Sequence, residues 1–257
     1  MSALRVLRSE WTKLRTLPST LWLLLGAVAG TVALGFAIVA TLDASHCDAP
    51  CLTDTGKLSL AGVRLGQVAV IILAVMAVTA EYATRTIQPT LAAVPRRISV
   101  VLGKLVALVV LALLSGAAAA AGSIAAARAA LPHTGYPQIS LSDPLLQRAA
   151  LGTSIYLGLT AALGVGMGLI LRDTAGALTA VLALIYGAPV IATFISDPRW
   201  QHRLHRYSPM DAGLAIQSTR NLTAEHVGPW AGIGVLSAYA GVAVVAGLLV
   251  FRLRDAG

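Results

Sequence analysis

Six apolar runs, each about as long as a bilayer crossing, constrain this chain more than any other feature. They lie near 19–42, 60–80, 102–127, 149–171, 174–196 and 229–251. A membrane-spanning helix needs roughly 20 consecutive, mostly apolar residues. The runs are rich in Leu, Ala, Val and Gly, with no period-two alternation, which excludes a transmembrane β-barrel. Hydrocarbon offers no water to backbone N–H and C=O groups, so six such runs are expected as six helices. The expected fold class is an all-α membrane protein in a single transmembrane domain. The first run exceeds the roughly 7–15 apolar residues of a cleaved signal sequence, so it is expected as a retained span.

Composition supports this reading. Only 12% of the residues are charged, against about a quarter in soluble domains. The net charge is +8. No basic groove with interleaved aromatics accompanies it, so nucleic acid is not an expected partner. The cations instead flank the apolar runs. An even number of spans puts both termini on one side. If that side is the cytoplasm, the inner segments hold eleven cations and four acids, and the outer ones eight and seven. Arg5, Arg8, Lys13 and Arg15 precede the first span, whereas the loop at 43–59 has only Lys57. The positive-inside rule then predicts cytoplasmic termini and a multi-pass protein of the cytoplasmic membrane.

The polar segments carry further expectations. Within residues 1–18, Leu4, Leu7, Trp11 and Leu14 fall at spacings of three and four, which predicts an amphipathic helix lying in the interface. Pro18 ends it. The outer loop holds the only two cysteines, Cys47 and Cys51, beside His46. A disulfide and two free thiols both fit; the spacing is not a zinc signature, and no metal site is expected. The extracytoplasmic segment 197–228 places Trp200, Leu204 and Tyr207 at helical spacing, which predicts a short interfacial or re-entrant helix. His202 and His205 in it lack a third ligand nearby. The G-x3-G pairs Gly26–Gly30, Gly62–Gly66 and Gly164–Gly168 are candidate helix contacts.

Enzyme signatures are missing from the sequence. There is no G-x4-G-K-[ST] phosphate loop, no H-E-x2-H and no G-x-S-x-G. No catalytic residues and no cofactor are expected in this chain. No ionisable residue falls mid-membrane within the six runs, which argues against ion-coupled transport.

The segment from 81 to 104, EYATRTIQPTLAAVPRRISVVLGK, is the longest inner connection. Ile87, Leu91 and Val94 fall at spacings of four and three. Pro89 suits a first helical turn, and Pro95 disfavours helix at Val94. One or two turns of helix are too short to persist alone in water, so a partner surface is expected. The ordered set Glu81, Thr86, Ile87, Thr90, Leu91, Pro95, Arg97 and Lys104 resembles the coupling segment of export-type ABC transporter permeases, the ABC-2 family. SEWTKLRT at the start and ILRDTAGALTAVL at 170–182 are similar to that family's N-terminus and its tight turn between the fourth and fifth spans. Many relatives have Gly where this chain has Arg85. Arg85 suggests ordinary helical geometry or an i,i+4 contact with Glu81.

The resemblance implies a permease subunit whose cytoplasmic coupling segment, 81–101, carries a short coupling helix. Glu81, Arg85, Thr86, Ile87, Thr90, Leu91, Val94, Pro95, Arg96 and Arg97 are the candidate coupling residues. It implies a separate ABC ATPase in two copies, which would hold ATP and magnesium, and a homodimer of this chain in the lipid membrane. The cargo would be hydrophobic or amphipathic; no substrate-binding residues are identified. Two other classes are weighed against it: an ATP-independent immunity or receptor-like membrane protein, and a secondary transporter.

Overall fold

The computed structural model describes residues 12, 18–42, 53–83, 97–220 and 227–254. Among them the chain is helical and has no strand. The helices are α1 (Pro18–Ala40), α2 (Thr55–Leu60), α3 (Val63–Ala83), α4 (Arg97–Ala130), α5 (Pro144–Leu171), α6 (Thr174–Phe194), α7 (Pro198–Tyr207), α8 (Pro209–Leu214) and α9 (Pro229–Arg254). Six stretches are long and apolar enough to cross a membrane: α1, α2 with α3, and α4, α5, α6 and α9. The expected spans therefore stand, with shifted ends.

Local chemistry sets those ends. Asp143 caps α5 by accepting from the Leu145 N–H at 2.9 Å, and Pro144 occupies the first turn, where its missing donor costs nothing. At the other end Arg172 takes a left-handed conformation (φ 59°) and donates its N–H to Gly168 O at 2.9 Å. Asp173 then caps α6 by accepting from the Gly176 N–H at 2.6 Å. The whole link between two spans is two residues, the tight turn expected there.

Packing makes α5 the hub. It lies against α3, α4, α6 and α9, and buried residues run along it from Leu146 to Leu169 on most of its faces. α1 and α6 are peripheral. α1 buries only Thr20, Ala27, Thr31, Gly35 and Val39, a stripe at mostly four-residue spacing, and exposes Leu21, Trp22 and Leu25. Such apolar exposure suits lipid and not water.

The second span is broken between Leu60 and Val63. Gly62 sits at the break with its Cα against α1; a Cβ there would lie 2.8 Å from both Thr31 C and Gly35 N. Gly164 packs likewise against Ala74, at 2.9 Å, whereas Gly26 faces open space. Two of the three glycine pairs are thus helix contacts, and Gly26–Gly30 is not a close one. α4 runs for 34 residues, about 51 Å of helix. It starts at Arg97, several residues before the apolar run.

Candidate functional site

The end of α3 from which residues 84–96 depart is tied to three other elements. Glu81 pairs with Lys104 of α4 at 2.5 Å. The Lys104 ammonium, with only 9% of its side chain exposed, also donates to Ala77 O at 2.9 Å. Thr79 and Thr174 share a hydroxyl hydrogen bond of 2.7 Å, which joins α3 to the start of α6. The Arg172 guanidinium lies 5.0 Å from the centre of the Tyr82 ring, within cation–π range. Below these contacts Val78 packs on Gly168 of α5.

Each contact has a local reason. Thr79 donates to Val75 O at 3.0 Å, one turn back, which leaves its oxygen free to accept from Thr174. The left-handed turn at Arg172 swings that side chain across α3 in place of continuing α5. Lys104 lies two turns into α4, so its long apolar stem follows the helix while the head reaches the carbonyl row of α3. The result is a clasp of one ion pair, one hydroxyl pair and one cation–π contact.

The opposite end is built differently. α7 lies on the surface: it buries no residue, and Trp200 and Tyr207 are more than half exposed. Arg203 stacks 5.4 Å from the Trp200 ring, and His205 Nδ1 lies 2.8 Å from Asp211 Oδ2. The chain then turns inward. α8 and the 3₁₀ turn Ala215–Gln217 are buried except at Asp211 and form a wedge between the spans. The helix expected at Trp200–Tyr207 is therefore present as exposed α7, and the buried element is the next one, α8.

A neutral hydrogen-bond network anchors this wedge. Gln67, fully buried in α3, donates to Tyr186 Oη at 2.7 Å and to Met210 Sδ at 3.4 Å. Its carbonyl oxygen accepts from the Tyr156 hydroxyl, and the Tyr186 hydroxyl donates to Arg64 O. Gln217 donates to Thr153 Oγ1 at 2.9 Å. Asp54 accepts from the N–H groups of Lys57, Thr219 and Arg220 at 2.9, 2.6 and 2.8 Å, and from the Thr219 hydroxyl at 2.5 Å. One carboxylate thus caps α2 and pins the loop after the wedge.

Of the coupling residues expected from the sequence, Glu81 is in the clasp, and its partner is Lys104. Arg97 opens α4. Arg85, Thr86, Ile87, Thr90, Leu91, Val94, Pro95 and Arg96 lie outside the described residues, as do Leu4, Leu7, Trp11, Leu14, Cys47 and Cys51. Thr79, Tyr82 and the wedge are not evident from the sequence. Ser208-Pro209 with Asp211 three residues after the serine is the one available signal, because that pattern opens helices. No family model matches the chain, and no curated protein sequence matches it.

Proposed function

We propose that this chain is the membrane-spanning subunit of an ATP-driven exporter, with residues 84–96 docking on a separate ATPase. The observation that carries the reading is the clasp. A segment with an apolar triplet, too short to fold alone, emerges from the end of a span bonded to α4 and to the α5–α6 turn. A push on that segment moves three further spans together rather than bending one loop. The ordered coupling-segment residues supply the kind of partner. Two copies of the chain would make the usual complement of spans, and ATP binding would bias a two-state equilibrium of the pair. Both termini and the clasp would then face the cytoplasm. The six lipid-compatible helices, with charge confined to their ends, suit a hydrophobic or amphipathic cargo.

The test is association. An ATPase bearing a phosphate-loop signature should co-purify with the full chain, and Leu91→Asp should abolish that while the chain stays inserted. Undiminished co-purification of the Leu91→Asp variant would overturn the docking assignment.

A further inference from the structure

We infer that the groove between α4 and α5, in the leaflet away from residues 84–96, holds one acyl chain of a phospholipid whose phosphate rests on Arg128. The helices touch at Gly116, where a Cβ would lie 2.8 Å from Ser154 Cα. Beyond that contact a cavity of about 450 Å³ opens, within the roughly 300–1,000 Å³ of small-molecule sites. Ala117, Ala121 and Ala125 form one wall, and Ala150 and Leu151 the other. Ser154 closes the deep end, its hydroxyl already donating to Leu113 O at 3.0 Å.

Length and charge select the occupant. From Ala117 to Arg128 the helix rises about 16 Å, about half of a ~30 Å hydrocarbon core. The groove is therefore one leaflet deep, with Arg128 at its mouth. Arg128 is exposed and has no ion-pair or hydrogen-bond partner among the described residues. The nearby Asp143 carboxylate caps α5, and the Gln147 amide donates to Leu141 O at 3.0 Å. Both are engaged within the protein. Lipid tails are as apolar as the groove wall, so burial alone gives an acyl chain no preference for it. Close packing against small residues and the cation–phosphate contact supply the preference. The inference does not depend on the ATPase reading.

Photolabelling tests it. The full chain is reconstituted in bilayers containing a phosphatidylglycerol with a diazirine near the end of one acyl chain. Adducts should concentrate on 117–128 and 146–154, above the lipid-facing positions Leu102, Val106 and Leu114. Arg128→Gln should lower the groove adducts about fivefold, the worth of one interfacial cation. Ala121→Leu should remove them while labelling at Leu102 and Val106 persists, which also reports correct insertion. If that variant does not insert, Ala150→Leu fills the groove from the other wall. Groove labelling no higher than at Leu102, or unchanged by Arg128→Gln, would overturn the proposal. So would cross-links from the groove to a second copy of the chain in place of lipid.

Discussion

The two ends of this helical bundle are held by different chemistry. At one end, buried Gln67, Tyr156 and Met210 and half-buried Tyr186 form a neutral network around an inserted wedge, and Asp54 takes four hydrogen bonds. At the other, Thr79, Glu81 and Tyr82 near the end of α3 reach Thr174, Lys104 and Arg172 on neighbouring elements. Buried neutral networks are costly to break, because an orphaned donor loses its full desolvation energy. In the ion pair the Lys104 head is buried, while the Glu81 carboxylate, 21% exposed, keeps contact with water. On the proposed exporter reading, the first end is built to stay and the second to move as a unit. Among the described residues, the clasp is also the end that borders the proposed docking segment.

Mutation should separate the ends in both stability and coupling. The largest loss of stability is expected for Asp54→Ala, about 3 kcal/mol, since several charge-assisted hydrogen bonds and a helix cap go together. Thermal unfolding in lipid nanodiscs would measure it. Gly213→Ala comes next, at about 2 kcal/mol, because the added methyl would lie 2.7 Å from the Tyr156 ring and neither side can yield freely. If either variant unfolds like the parent protein, the wedge is not the rigid end. Arg172→Gly should change stability by less than ~1 kcal/mol. It relieves a left-handed non-glycine residue but removes the stacking on Tyr82, and the two terms are of similar size. A large loss there would mean that the clasp, too, is structural.

Much of the fold is legible in the sequence because span length and apolarity are local properties. The six runs predict the helices to within several residues, and the turn at Arg172–Asp173 can be read from polar residues squeezed between two runs. The break at Gly62 is not legible, since it depends on how closely α1 approaches. α8 is hidden because six residues carry little periodicity, and their burial comes from tertiary neighbours. Glu81 and Lys104 both stand out in the sequence, but not as a pair: they lie on different helices, and only the packing of α3 on α4 brings them within 2.5 Å. The coupling triplet Ile87, Leu91 and Val94 rests on sequence alone.

The clasp itself offers the most direct test. Lys104→Met keeps the stem and removes the charge that joins α3 to α4. Stability should fall by about 2 kcal/mol, because the Glu81 carboxylate loses a buried cation but keeps some access to solvent. ATP hydrolysis by this chain in complex with the proposed ATPase, reconstituted in nanodiscs, is the decisive measurement. The expected result is intact ATPase association with hydrolysis reduced about tenfold, equivalent to roughly 1.4 kcal/mol of lost coupling. Full hydrolysis at the parent rate by the Lys104→Met complex would contradict the clasp as the route from the docking segment to the spans.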